Sequence, residues 1–151
     1  MIYVGIDPGL RSGAVGAIDH HGDYVGCFDI QSDEKRIDAR LLKNDLSFLI
    51  CNSDVEVCIE LVNPMPGQGS VSTGGFMRAA GAIEAVALLI LCPVTFVPPR
   101  VWKKAMGLSS DKEASLTMAR KLWPKAPLAR KKDNNRAEAL LLAEYLRREN
   151  V

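Results

Sequence analysis

Residues 2–9 read Ile-Tyr-Val-Gly-Ile-Asp-Pro-Gly. The apolar, β-favouring run from Ile2 to Ile6 is typical of a strand buried in the middle of a sheet, and it ends at the carboxylate of Asp7. The Pro8-Gly9 pair favours a turn, because proline fixes φ and glycine accepts positive φ. Residues 14–18 form a second β-favouring run, so we expect a hairpin with an acidic residue at its corner.

Asp7 has two interpretations at this corner. An aspartate in a turn often caps the backbone of that turn with its own side chain. A carboxylate at the C-terminal end of a central strand also lies where sheets often display functional groups. Further carboxylates converging on the same edge of the sheet would favour the functional interpretation.

The elements predicted after the hairpin place a second acidic residue at the same edge of the sheet. Tyr24–Ile30 predicts a third strand, and the short turns between the first three strands indicate an antiparallel meander. A helical apolar stripe over Asp38–Cys51 precedes another strand, Val55–Val62. The order strand, helix, strand favours a right-handed crossover and parallel pairing. Glu60 would then lie at the same sheet edge as Asp7.

The second half of the chain is mainly helical in pattern. We predict a helix from about Gly75 to Leu91 with Ser72 or Thr73 as its cap, a short strand at Val94–Val97, helices over Val101–Met106, up to Leu122 and over Arg136–Arg148, and a Gly107 that closes the first of these three. Small residues in the 75–91 helix (Gly75, Ala79, Ala80, Gly81, Ala82) allow close approach of either the sheet or a second subunit.

Length and composition indicate one soluble domain over residues 1–151, and its mixture of predicted strands and helices is that of an α/β protein. The 151 residues are 48% hydrophobic and 25% charged, which is ordinary for a globular protein. The most apolar stretch, 79–97, contains Glu84 and Pro93, so we expect no membrane span. The start of the chain has neither the basic nor the long apolar region of a signal peptide, so we expect a cytoplasmic protein.

The cysteines and histidines give no metal-ligand spacing. We expect Cys27, Cys51, Cys58 and Cys92 to be reduced core thiols, and the adjacent pair His20-His21 to be exposed in a turn.

Charge is unevenly distributed along the chain. Residues 1–99 carry six basic and twelve acidic side chains, a net charge of −6. Residues 100–132 carry ten basic and two acidic side chains, a net charge of +8. A basic block in an otherwise acidic chain favours a local patch for a polyanion, although charge runs are commonly solvated helical faces.

Two more acids flank the start of the last predicted helix. Asp133 precedes this helix, and we expect Glu138 in its first turn. If the helix packs across the sheet, Asp7, Glu60, Asp133 and Glu138 would meet at one edge. Four ionised carboxylates need cations between them, and oxygen ligands suit Mg²⁺ or Mn²⁺. A pair of such ions is the usual device for in-line phosphoryl displacement.

With these motifs in order, the chain resembles the RuvC-type Holliday junction resolvases of the ribonuclease H-like superfamily. The matching segments are Gly5-Ile6-Asp7-Pro8-Gly9, Ile59-Glu60, Arg100-Val101-Trp102-Lys103-Lys104 with Asp111-Lys112, and Arg136-Ala137-Glu138-Ala139-Leu140-Leu141-Leu142-Ala143. The last segment is more similar to the phage-borne branch. The resemblance implies a five-stranded mixed sheet, three antiparallel strands then two parallel, flanked by helices. It also implies a homodimer that nicks four-way DNA junctions symmetrically.

The resemblance assigns the acids one by one. Asp7 and Glu60 match the first two family acids, and Glu138 matches the last. The family spaces its final two acids three residues apart, and that position here is Asn135. Asp133 is therefore our substitute for the third acid, with helix capping as its alternative role.

The resemblance also suggests contacts with DNA. Lys103, Lys104 and Lys112 match basic positions that face the scissile phosphate and the backbone. From the basic block we add Arg130, Lys131 and Lys132 as nucleic-acid-binding candidates; ordinary surface lysines are the alternative. A junction wedge would lie after the second acid, where Asn63 and Met65 occur, or at Phe76. We expect Trp102 and Trp123 to be core anchors rather than base-stacking platforms.

Other functions share parts of this pattern. A related nuclease of the pre-ribosomal RNA processing type has a similar hairpin and length. The actin and sugar-kinase superfamily holds phosphates with similar hairpins, but its fold needs two such lobes. A non-catalytic DNA-binding relative would explain the missing acid at Asn135.

Overall fold

Five strands form one mixed sheet in the part of the chain that the structure describes. The computed structural model describes residues 1–33, 35–51, 53–63, 67, 69–90 and 92–150, and it describes Lys112 by its backbone alone. The strands are β1 (Ile2–Asp7), β2 (Ala14–Asp19), β3 (Tyr24–Asp29), β4 (Val55–Glu60) and β5 (Val94–Val97). They are arranged in the order β3-β2-β1-β4-β5. The β1–β2 and β2–β3 pairs are antiparallel and the β1–β4 and β4–β5 pairs are parallel, which confirms the predicted sheet.

The helices follow the predicted order with shifted ends. They are α1 (Ala39–Ile50), α2 (Ser70–Leu89), α3 (Pro99–Ala105), α4 (Lys112–Leu122) and α5 (Asn134–Glu149), with a 3₁₀ turn at Lys131–Asp133 before α5. The predicted cap at Ser72 or Thr73 is wrong, because the N-cap of α2 is Gly69. Glu138 lies in the second turn of α5 rather than the first, because the helix already begins at Asn134. Gly107 follows α3 with φ of +67°, as a closing glycine should.

The sheet separates two buried clusters. Alternation along β1 directs Tyr3 to one face and Val4 and Ile6 to the other. The Tyr3 face is covered by α3, α4 and α5, and the opposite face by α1 and α2. Because side chains alternate, Asp7 belongs to the Tyr3 face.

Two glycines in the sheet allow α5 to lie directly against its backbone. Gly5 of β1 and Gly16 of β2 are opposite each other in the antiparallel pair. A Cβ at Gly5 would collide with the carbonyl oxygen of Ala139, and one at Gly16 would lie 2.6 Å from the amide nitrogen of Leu140. Any side chain at either position would therefore push α5 off the sheet.

The far end of α5 shows its direction across the sheet. Asn150, which ends the helix, donates from Nδ2 to Glu56 Oε2 at 2.7 Å, near the start of β4. The N-terminal turns of α5 therefore lie towards the carboxyl ends of β1 and β4. This direction brings Glu138, the neighbour of Ala139, to the edge where Asp7 and Glu60 are found.

Three of the four cysteines are at least half-buried. Cys58 is buried and Cys27 and Cys92 are half-buried free thiols, but the core assignment of Cys51 is wrong because it is exposed at the end of α1. The pair His20-His21 is exposed, as predicted. None of the helices within the described ranges combines the length and apolar character that crossing a bilayer requires.

We predict that Gly5→Ala lowers the free energy of unfolding by about 3 kcal/mol, because the added methyl group meets helix backbone that cannot rotate away. The matched control is Gly26→Ala in β3, where the added Cβ would meet Leu49 Cδ1, the end of a flexible side chain, at 2.8 Å. That variant should lose about 1 kcal/mol or less. Urea denaturation measures both losses, and equal losses would contradict the assigned role of Gly5.

Candidate active site

Asp7 and Glu60 end neighbouring parallel strands. Ile6 of β1 is opposite Ile59 of β4, so Asp7 and Glu60, the next residues, end side by side. Neighbouring strands lie about 5 Å apart, and alternation directs both side chains to the face covered by α5. The structure thus places the two acids together at one sheet edge, as the sequence indicates.

Glu60 is held by a tryptophan of α3. Trp102 Nε1 donates to Glu60 Oε2 at 2.6 Å, and Trp102 is fully buried. A hydrogen bond to a carboxylate is shorter and stronger than one between neutral groups. Burial, with a smaller contribution from the Glu60 charge, raises the pKa of the neighbouring Cys58 thiol to about 12. The Glu60 carboxylate therefore borders an apolar core.

Glu138 is a buried acid with two dedicated partners. It is 4% exposed, and its Oε1 accepts from Lys103 Nζ at 2.7 Å and from Ser115 Oγ at 3.1 Å. Ser115 comes from α4 and is fully buried. An ionised carboxylate in such surroundings requires this compensation, because desolvation of a lone charge is costly.

Consecutive residues of α3 join the acids of the sheet and of α5. Trp102 binds Glu60 and Lys103 binds Glu138, while Lys103 Nζ lies 5.2 Å from the centroid of the Trp102 ring. The short helix therefore couples β4 to α5 at the edge where β1 ends. We call Asp7, Glu60 and Glu138 the acidic edge.

The predicted cluster of four carboxylates is not assembled in this structure. Within the described ranges, no three histidine, cysteine or acidic side chains are grouped so that they could hold a metal ion. At Glu138 the ammonium group of Lys103 already neutralises the carboxylate. The oxygen donors of the Asp7–Glu60 pair do fit a hard divalent cation such as Mg²⁺.

Asp133 lies apart from the acidic edge. It holds the N-cap position of α5, but its side chain makes no capping hydrogen bond to that helix, so the helix-capping alternative is wrong as well. Asp133 is 3% exposed and accepts from Arg130 through the backbone N–H at 2.8 Å and through the guanidinium at 2.7 Å. Arg136 beside it binds Asp29 at the end of β3, and two strand spacings, about 10 Å, separate β3 from β1. Asp133 thus closes the 3₁₀ turn before α5.

Electrostatics at Asp133 reflect this pairing. Hydrogen bonds from the Arg130 side chain hold the pKa of Asp133 below its usual value, and burial opposes this only in part. The Asp133 carboxylate is therefore stabilised in its ionised form by Arg130. Both of its oxygens accept hydrogen bonds from Arg130 within the turn.

The predicted basic residues are in unequal environments. Lys103 is 16% exposed and bound to Glu138, whereas Lys104 and Lys132 are exposed. Arg130 is bound to Asp133, and the 88% exposed Lys131 lies 3.7 Å from Glu113, which is a weak surface pair. The side chain of Lys112 lies outside the described part of the chain. Of the wedge candidates, Met65 also lies outside it, Asn63 is exposed and Phe76 is half-buried.

Sequence reasoning missed two partners of the acids. Trp102 is a core anchor as predicted, but the pattern gave no sign that its indole would reach Glu60. Ser115 is one of several polar residues in α4, and nothing in its spacing links it to Glu138. Trp123, also a core anchor as predicted, donates from Nε1 to the carbonyl oxygen of Gly22 at 2.8 Å.

Comparison with solved structures gives a consistent fold. A structure of Thermus thermophilus RuvC in complex with a Holliday junction substrate has 18% sequence identity and a TM-score of 0.67, covering 99% of this chain and 96% of that one. A second T. thermophilus RuvC structure has 19% identity and a TM-score of 0.59, covering 99% and 97%. No protein-family model and no curated protein matches the sequence. At this identity the likeness establishes a RuvC-like, ribonuclease H-like fold, and the phage-like branch stays a prediction.

We predict that Asp133→Asn destabilises the protein by about 1–2 kcal/mol at neutral pH, because it removes a charge-assisted pair with Arg130. The pKa of Asp133 is lower in the folded protein than in the unfolded chain, so the stabilisation is complete above about pH 5 and disappears as the pH falls through the folded-state value. Urea denaturation of wild type and variant from pH 7 to pH 3 should show the two converging. The exposed Glu149→Gln is the control, and a difference that does not shrink between pH 7 and pH 3 would contradict the assignment.

Proposed function

We propose that this chain is a metal-dependent endonuclease that resolves four-way DNA junctions by paired, symmetric nicks. The observation that carries the proposal is the side-by-side ending of β1 and β4 at Asp7 and Glu60, with the buried Glu138 joined to them through α3. In a chain with the fold of RuvC, this arrangement supports phosphodiester hydrolysis at the acidic edge.

The donor set supports Mg²⁺, with Mn²⁺ as a substitute. Asp7 and Glu60 would hold the ion, and a bound divalent ion supplies a water molecule activated for attack and charge to stabilise the leaving oxygen. The chain's own residues contact these acids: Trp102 donates to Glu60, and Lys103 and Ser115 donate to Glu138. Lys103 is also near enough to the surface to meet a phosphate of the substrate.

A third oxygen donor from α5 is better supplied by Asn135 than by Asp133. Asn135 is half-buried and lies three residues before Glu138, so both side chains are on one face of the helix. Its amide oxygen is an acceptable ligand for a hard cation. Asp133 is occupied by Arg130.

The basic block supports binding of branched DNA. Lys104, Lys131 and Lys132 are exposed, and they belong to the segment with a net charge of +8. Phosphate contacts from such residues give affinity that falls with salt and does not depend on sequence. DNA as substrate agrees with an intracellular, cytoplasmic location.

A homodimer is supported by the outer face of α2. Its inner face, including Ala79, packs on the sheet, whereas Val71 is 89%, Leu88 51% and Leu89 76% exposed. Gly74 and Gly81 border open space, because a Cβ added at either residue would meet nothing within 4 Å.

The charges on this face are self-complementary. Arg78 and Glu84 are exposed and lie three residues either side of Gly81. Two antiparallel copies of α2 crossing at Gly81 would bring each arginine to the partner's acidic side chain. This self-complementarity is what a two-fold interface needs, so we assign the face to a second copy of this chain.

The buried Glu138 favours catalysis over a non-catalytic DNA-binding role. A carboxylate held in the core by an ammonium and a hydroxyl contributes little net stability compared with apolar packing. A function at the acidic edge gives this buried charge a role that packing alone does not. Cleavage of RNA instead of junction DNA remains the second candidate. Assaying the two substrates side by side distinguishes an RNA nuclease from a junction nuclease.

We predict that Asp7→Asn and Glu60→Gln each abolish Mg²⁺-dependent cleavage of a synthetic four-way junction and leave junction binding largely intact, because each removes a charged oxygen ligand. The assay compares junction, fork, duplex and RNA substrates with Mg²⁺ and with Mn²⁺. The matched control is Glu56→Gln, at the other end of β4, which should cut at the wild-type rate.

Cleavage by either acidic-edge variant at the wild-type rate would refute the catalytic assignment. Preferred cleavage of RNA would replace the junction substrate. Binding of junctions by the wild type with no cleavage in either metal would indicate the non-catalytic relative.

We predict that Gly81→Glu makes the protein monomeric, because it places a bulky charge at the centre of the proposed helix crossing. Light scattering coupled to gel filtration measures the mass. The control is Lys43→Glu on α1, an exposed site outside this face. A wild-type protein that is monomeric at high concentration would exclude the dimer.

A further inference from the structure

Trp102 is fully buried, and its indole N–H donates to the carboxylate of Glu60. We infer that Trp102 is a positioning residue: its buried indole N–H fixes the Glu60 carboxylate in the orientation that metal binding at the acidic edge requires. This inference rests on the proposed function, because it assigns Glu60 to a metal ion.

The geometry of the contact is that of a fixed support. Trp102 Nε1 lies 2.6 Å from Glu60 Oε2, and Trp102 has no exposed surface. The ring shares a buried cluster with Val97 and Met106, so it cannot turn without disturbing the core. A donor held this rigidly restricts the rotamers open to the Glu60 side chain.

The choice of residue type supports a purpose beyond packing. A core site can be filled by leucine or phenylalanine, which bring no polar atom that must be satisfied. A buried indole needs an acceptor, and the acceptor here is an acid at the end of a central strand. Residues that hydrogen-bond to metal-binding side chains orient them, and losing such a partner typically costs about 10- to 100-fold in metal affinity or activity.

The same chain contains a matched comparison. Trp123 is also buried, at 5% exposure, and its Nε1 donates to the backbone carbonyl of Gly22 at 2.8 Å. The two tryptophans therefore share burial and a satisfied N–H, and they differ in whether the acceptor belongs to the acidic edge. An effect found at Trp102 and not at Trp123 cannot come from burial of an indole in general.

The first experiment follows the two indole N–H resonances of the ¹⁵N-labelled wild-type protein during titration with Mg²⁺. We expect a saturable shift of the Trp102 resonance and little change at Trp123. Glu60→Gln should move the Trp102 resonance without added metal and remove its response to Mg²⁺. A Trp102 resonance that responds no more than that of Trp123 would overturn the inference.

The second experiment compares Trp102→Phe with Trp123→Phe, since phenylalanine keeps an aromatic ring and removes the donor. Trp102→Phe should weaken Mg²⁺ binding measured by calorimetry by about 10- to 100-fold and raise the Mg²⁺ concentration for half-maximal cleavage by a similar factor. Trp123→Phe should leave both unchanged. Wild-type Mg²⁺ affinity in folded Trp102→Phe would overturn the inference; if this variant does not fold, the Glu60→Gln resonance decides.

The two proposals can fail separately. A wild-type protein that shows the Trp102-selective Mg²⁺ response but cuts no junction would refute the proposed function and leave the positioning role standing. A protein that cuts junctions while Trp102→Phe binds Mg²⁺ normally would refute the positioning role alone.

Discussion

The contact of α5 with bare sheet backbone is the constraint on which the rest of this structure depends. Gly5 and Gly16 are paired across β1 and β2, and α5 passes over them where a side chain would collide with helix backbone. Close packing of this kind fixes both the height and the position of a helix. The position of Glu138 is a consequence of this packing, because Glu138 precedes Ala139 and is therefore placed near the end of β1.

This packing also explains how charged groups come to be buried beside a core. Once α5 is seated on the sheet, Glu138 is covered by α3 and α4, and its charge requires Lys103 and Ser115. Glu60 borders the same cluster and receives the indole of Trp102. Two of the three acids of the acidic edge, Glu60 and Glu138, are thus held by donors from helices.

Much of this arrangement was predictable because it is local or periodic. The apolar, β-favouring runs at residues 2–6 and 55–62 located both strands, and the strand-helix-strand order indicated their parallel pairing. The convergence of Asp7 and Glu60 follows directly from that pairing and from their positions at the strand ends. The rest of the site was less accessible, as Asp133 shows: it stands close to Glu138 in sequence, but the chain turns at residues 131–133 and Arg130, three residues earlier, captures its carboxylate.

The sequence by itself determined the strands, the antiparallel meander of the first three, and the edge at which Asp7 and Glu60 end, because hydrophobic patterns and chain connectivity act over short distances. The tertiary structure alone decided which donors hold the acids. Trp102 is 42 residues from Glu60 and Ser115 is 23 residues from Glu138 along the chain. Such pairs depend on how α3, α4 and α5 pack on the sheet, and no local spacing encodes that packing.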